Sequence, residues 1–329
     1  MTDLEPRELL QQIKQGNLPA SRRPDDLAGA DLAGADLSGM DLSGANLAGA
    51  DLSGAHLFRT NLSRASLSHA NLADAELTGA DLTDADLEEA VASRAGLGKA
   101  MLRGAHLFQA HLEGATLTMA VLRGADLRCA HLQQARMREA DLTGADLTSA
   151  DLRGVDLSLS KVGGATLNNA DLRDARLRQI GDFASASWIG VDIRDINFAG
   201  AYRMRRLVVD QNFIKEFRES SRLASLVYHL WWITSDCGRS MTRWCLLILA
   251  QVLVFALLYS VVGVDYGRHP TWLSPLYFSV VTLTGLGYGD VVPSSPGGQA
   301  VAMLEVIIGY VMLGGLISIF SNLIARRAD

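Results

Sequence analysis

Leucine returns at every fifth residue along half of this chain. From Asp26 the sequence reads DLAGA DLAGA DLSGM DLSGA NLAGA DLSGA, and the centres Leu27, Leu32, Leu37 and Leu42 open a series that keeps register to Leu177. Only Ala92, Met137 and Val162 replace leucine on that grid. Two residues before each centre stands alanine, with exceptions such as Met40, Thr60, Val155 and Ser160. Gly181 adds one residue, and the grid resumes with Phe183, Trp188, Ile193 and Phe198 as centres. Their inward partners shift likewise, to Ala186, Val191, Ile196 and Ala201.

A period of five fits neither the helix nor the ordinary strand. On a helix, five-residue spacing turns each leucine about 140° from the last and spreads them round the cylinder. On a coil of square cross-section, one pentapeptide per side, every leucine and every preceding small residue faces one shared interior. The motif A(D/N)LXX over residues 26–201 resembles the pentapeptide-repeat family. That resemblance implies a right-handed quadrilateral β-helix. A rod of this kind needs covered ends. Residues 1–25 are expected to supply one, through a helix over Thr2–Gln15 that opens on Thr2-x-x-Glu5. A wider last coil plugged by Phe183, Trp188 and Phe198 is expected at the other end.

The pattern changes after residue 201. Asp210 can cap a helix through Phe213, Phe217, Leu223, Leu226 and Tyr228 to Trp231 and Trp232. Its basic and aromatic mixture fits a connecting helix, within 202–240, at a membrane interface. Residues 244–264 carry no charge and are long enough to span a bilayer. A second apolar run extends from about Ala300 to Ile324 with one acid, Glu305. Such a residue should face protein, near the short helix between the spans, and make a structural hydrogen bond rather than an ion site. Two spans put both termini on one side. Arg239, Arg243, Arg326 and Arg327 make that side cytoplasmic, as expected for a bacterial inner-membrane protein.

Between the spans a short segment, PLYFSVVTLT, reads as a re-entrant helix, followed by TLTGLGYGD from Thr282 to Asp290. Alternating glycines open backbone conformations closed to other residues. At membrane depth, such backbone must be buried in protein or line a watery path. The stretch resembles the selectivity filter of potassium channels, and roughly residues 241–327, within a domain of 241–329, resemble their two-span, all-α pore domain. The resemblance implies a filter of Thr284, Gly285, Leu286, Gly287, Tyr288, Gly289 and Asp290, supported by Thr282. It also implies K+ held at the carbonyls of Gly285, Leu286, Gly287 and Tyr288, a homotetramer, and a candidate gating hinge at Gly309. Gly314 and Gly315 serve flexibility or close helix packing. The departure is Gly285, where the family places threonine. Its absent hydroxyl predicts weaker preference for K+ over Na+, and predicts that threonine there would sharpen it.

Composition adds little to this division. The net charge of −6 names no partner. Cys129, Cys237 and Cys245 lack metal-ligand spacing. MTDLEPRELL has no basic region before an apolar core, so no cleaved signal is expected. Residues 26–90 carry twelve Asp or Glu against Arg59 and Arg64. Such a rod solvates itself or mimics DNA, and some pentapeptide-repeat proteins bind topoisomerases in that way. The competing function is therefore a membrane-tethered binding module, including a DNA-mimic regulator, with a non-conducting pore. His111 should stack over His131, with Asp151 and Asp171 further along, as surface residues or as a metal site. No nucleophile–base pairing and no phosphate-cradling loop stands out, so no enzyme, nucleic-acid partner or cofactor other than a permeant ion is expected.

Overall fold

The computed structural model describes residues 26–196, 198, 202–238, 240–267, 270–287 and 289–328. The expected cap at Thr2–Gln15 lies outside these residues, as do Ala201, Arg239 and Tyr288. The chain divides into two units, residues 1–215 and 216–329.

The first unit is built of parallel bridges between residues twenty apart: Asp26 with Asn46, Asp31 with Asp51, and so on to Lys161 with Gly181. Each coil therefore takes four pentapeptides. Every side is a tight turn. Ala30 N donates to Leu27 O (3.1 Å), and the third residue, Gly29, has φ 64°. Turns with positive φ there favour glycine, which recurs at this position through the first coils. Later coils place Arg, Asp, Glu, Gln or Cys in the same left-handed conformation. Leucine and alanine face inward, and the grid leucines are almost wholly buried. The exceptions keep the core satisfied: Thr60 is fully buried and its Oγ1 donates to Leu37 O (2.8 Å), while buried Ser160 donates to Leu157 O.

The first residue of the motif has its own task. The Oδ1 atoms of Asp26, Asp31, Asp36, Asp41 and Asp51 accept from the backbone N–H two residues on. Asn46, Asn61 and Asn71 then donate through Nδ2 to the aspartate of the preceding coil. A side chain that braces the turn locally explains why Asp or Asn stands there.

At Gly181 the bridge spacing becomes twenty-one: Thr166 pairs with Ser187 and Asp171 with Asp192. The extra residue is taken up by a 3-10 turn at Phe183–Ser185. Trp188 is fully buried, but Phe183, Ile193 and Phe198 are only partly so. The expected aromatic plug is therefore shared with helix α1 (Tyr202–Ser220), whose Met204 and Val208 are buried against the same core. Gln211 and Asn212 of α1 satisfy the last coil's backbone. Gln211 Oε1 accepts from Trp188 N (2.8 Å), and Asn212 Nδ2 donates to Trp188 O (3.2 Å).

Helix α1 begins eight residues before Asp210, which is not its cap. A break at Ser221 separates it from α2 (Arg222–Ser235), because Ser221 Oγ accepts from Ala224 N and starts a new helix. The single connecting helix expected from the sequence is two. Helix α3 (Met241–Tyr259) follows, ending five residues short of the expected limit. After it come β1 (Val264–Asp265), α4 (Ser274–Thr284), β2 (Val292–Pro293) and α5 (Pro296–Ala328). The antiparallel pairing of Val264 with Pro293 and Asp265 with Val292 corrects the all-α expectation.

Candidate functional site

Helix α4 ends where the glycines begin. Gly285 is its C-cap at φ 70°, with its N–H donating to Thr282 O (3.1 Å), and Leu286 N donates to Val281 O (3.2 Å). Gly287 and Gly289 also have positive φ, 49° and 76°. All three glycines thus occupy backbone that other residues adopt only with strain. Thr284 Oγ1 bonds back to Val280 O (2.8 Å) within its own helix. The far end of the run is tied to α4 as well: Tyr277 Oη donates to Asp290 Oδ2 (2.9 Å). Helix α4 points its C-terminal carbonyls, the negative end of its dipole, at the glycine run. Leu286 is exposed within the single chain.

Behind this loop the three helices are fastened by Glu305 of α5, which is fully buried. Tyr259 Oη of α3 donates to Glu305 Oε2 (2.7 Å), and Ser279 Oγ of α4 donates to Glu305 Oε1. Ser279 also lies 3.0 Å from Val252 O of α3. Tyr259 and Phe278 pack edge to face at 4.7 Å. Glu305 thus faces protein and the short helix, as its charge in an apolar run requires, and its bond to Tyr259 adds a third element that no local pattern marks.

Two glycines in the apolar stretch of α5 are contact points. A Cβ at Gly309 would stand 2.8 Å from Leu283 O, so α5 and the end of α4 meet backbone to backbone. Gly315 lies beneath the Trp244 ring, whose Nε1 donates to Met312 O (2.8 Å). Gly314 faces open space. Packing therefore accounts for glycine at 309 and 315.

Helices α3 and α5 are long and apolar enough to cross a membrane, over Met241–Tyr259 and Pro296–Ser321. Their exposed residues include Leu246, Leu249, Leu253, Leu257, Met303, Ile307, Val311 and Phe320. An apolar surface of that extent marks contact with lipid or protein.

On the repeat unit, His111 and His131 stack at 4.7 Å and 9°, as the twenty-residue coil requires. His111 Nδ1 lies 3.1 Å from Glu113 Oε1. Among the described residues, no group of three or more His, Cys, Asp or Glu is placed to hold a metal. Further along the same column, Arg153, Arg173 and Arg194 fold back on Asp151, Asp171 and Asp192, each at 2.6 Å. Arg153 and Arg173 also approach the next coil's aspartate, at 3.7 and 3.6 Å. The Arg194 guanidinium holds the Asp192 carboxyl down at about 2.

The two units thus define a solenoid of pentapeptide turns and an apolar helical unit that presents a glycine-rich loop. Residues 26–179 match the family model for pentapeptide repeats, and residues 244–326 match the model described as ion channel. The chain thus resembles pentapeptide-repeat proteins over residues 26–179 and ion channels over residues 244–326. Two-pore potassium channel 1 of Arabidopsis thaliana is 31% identical over 91 residues, 25% of this chain and 25% of that protein. The calcium-gated potassium channel TvoK of Thermoplasma volcanium is 40% identical over 59 residues, 18% of this chain and 17% of that protein. The chain spans a quarter or less of the length of these curated relatives. Among solved structures, HetL, a pentapeptide-repeat protein of Nostoc sp. strain PCC 7120, is 29% identical, with 57% of this chain and 97% of that chain covered and a TM-score of 0.28. QnrB1, a plasmid-mediated fluoroquinolone resistance protein, is 20% identical, with 57% and 90% covered and a TM-score of 0.39.

Proposed function

We propose that this chain forms a tetrameric, potassium-type cation channel. One chain supplies one quarter of a filter built from Thr284 to Asp290. The carbonyls of Gly285, Leu286, Gly287 and Tyr288 replace the hydration shell of K+. Helices α3 and α5 span a bacterial inner membrane, with both termini cytoplasmic, and α4 enters the membrane and returns without crossing. The observation that carries this reading is the run of left-handed glycines seated on the C-terminal end of α4. A membrane anchor needs apolar length only, whereas this loop brings bare backbone to the negative end of a short helix. The match of residues 244–326 to an ion-channel model supports the same conclusion.

The repeat domain, a right-handed coil in this reading, is a cytosolic regulator or stabiliser of the pore. Its interior is filled with leucine and alanine, which leaves no path for ions along it. The mimic of DNA is the weaker alternative, because a soluble regulator needs no helices long and apolar enough to cross a membrane.

Purified chain in planar bilayers under bi-ionic K+/Na+ conditions tests the proposal, with mass measurement in nanodiscs. A K+-preferring current from a tetramer is the expected result. A stable monomer or dimer, or a protein without current, overturns it.

A further inference from the structure

The side chain missing at Gly285 leaves a space that another residue fills. A Cβ at 285 would stand 3.2 Å from the phenolic oxygen of Tyr310 and 3.7 Å from its Cζ. Tyr310 belongs to α5, twenty-five residues away in sequence. It is held at that spot by its neighbour Gly309, whose backbone packs on Leu283 at the end of α4. Tyr310 is 66% exposed, so it is not part of this chain's own core. Among the described residues, nothing hydrogen-bonds to its hydroxyl. A phenol in this setting has lone pairs to offer at the inner end of the glycine run.

We infer that Tyr310 supplies the oxygen that residue 285 lacks. Four Tyr310 hydroxyls, one from each chain, complete with the four Gly285 carbonyls a site for a dehydrated monovalent cation at the inner mouth of the filter. The inference rests on the pore reading and names a residue that sets its specificity. The chemistry is that of a neutral oxygen ligand. The O–H points its proton away and turns a lone pair to the ion, as a backbone carbonyl does. Because the oxygen comes from α5, any movement of that helix relative to α4 alters the site. Ion binding and the position of α5 are then linked.

Tyr310→Phe removes one oxygen per chain and keeps the ring. Ba2+ is the probe, since it has nearly the size of K+ with twice the charge and lodges in sites that K+ enters dehydrated. With the full-length chain in bilayers, block by internal Ba2+ should weaken at least roughly ten-fold in the variant, since four oxygens leave the site and one charged hydrogen-bond contact alone is worth about that much. The bi-ionic reversal potential should move toward lower preference for K+, with the tetramer mass unchanged. Wild-type Ba2+ affinity together with a wild-type reversal potential overturns the inference and leaves the pore reading intact. A wild-type chain without current overturns both. A second measurement needs no variant: anomalous diffraction from Ba2+-soaked crystals should place an ion in direct contact with Tyr310 Oη. An ion at the inner mouth out of reach of that oxygen overturns the assignment.

Discussion

Gly309 and Leu283 meet without a side chain between them. A methyl group at 309 would stand 2.8 Å from the Leu283 carbonyl oxygen and 3.2 Å from its Cα. Backbone cannot yield as a flexible side chain can, so Gly309→Ala forces α5 away from α4. Overpacking of this kind costs about 1–3 kcal/mol. The expected outcome is a lowered thermal midpoint in detergent. Gly314→Ala, five residues on, meets nothing within 4 Å. It should be neutral or stabilising, by up to about 1 kcal/mol from helix propensity. Equal effects at the two positions would show that glycine at 309 serves something other than this contact.

Glu305 is the single acceptor shared by Tyr259 and Ser279. Glu305→Gln keeps one oxygen able to accept and loses the other. Glu305→Ala loses both, leaves buried hydroxyls short of partners and opens a cavity. Stability should fall in the order wild type, Gln, Ala, with the alanine variant down by about 2–4 kcal/mol. Thermal unfolding of the three proteins in one detergent checks the order. A Gln variant no more stable than the Ala variant would mean that the lost contacts, not the cavity, dominate.

The arginine ladder of the last coils makes the repeat unit acid-sensitive. Asp192 sits at about 2 beside Arg194, against an ordinary value of about 3.9 in an unfolded chain. A carboxyl lowered on folding contributes stability that is present above the unfolded value. That stability is lost as pH falls through the folded one. The window for Asp192 is therefore from about pH 4 down to about pH 2. Asp171, lowered chiefly by its hydrogen bond to Arg173, follows the same direction. Arg194→Ala should return Asp192 toward the ordinary carboxylate range, read by carboxyl NMR titration, and should remove this part of the acid dependence.

What the sequence displays is what repeats. The leucine grid gave the coil, and the one-residue slip at Gly181 reappears as bridges of twenty-one between Thr166 and Ser187 and between Asp171 and Asp192. The alternating glycines announced special backbone, and Gly285, Gly287 and Gly289 are all left-handed. What stays hidden is the single contact between distant elements. Gln211 and Asn212 look like surface polar residues of a helix, yet they close the last coil. Ser221 looks like any serine within a run of mixed charge, but it starts a helix and ends the expected one. The pairing of β1 with β2 takes two residues a strand, too few to leave a period. Tyr310 carries no mark of its nearness to Gly285, because that nearness depends on how α5 crosses α4.

That nearness changes what threonine at 285 should do. The family resemblance alone favours sharper selectivity on Gly285→Thr. The structure gives residue 285 a φ of 70°, which costs a residue with a Cβ roughly 1–2 kcal/mol, and a β-branched one is a genuine outlier there. Threonine would also place its Cβ 3.2 Å from Tyr310 Oη. The single variant is therefore expected to lower the thermal stability of the assembled protein and to reduce current, not to improve it. Removing the phenol as well relieves the steric part. Gly285→Thr combined with Tyr310→Ala should be more stable than Gly285→Thr alone, whereas Tyr310→Ala by itself gives no such gain over wild type. Thermal midpoints of wild type and the three variants in one K+-containing detergent buffer measure that difference directly. Additive losses in the double variant would mean that residues 285 and 310 do not share the space that the structure gives them.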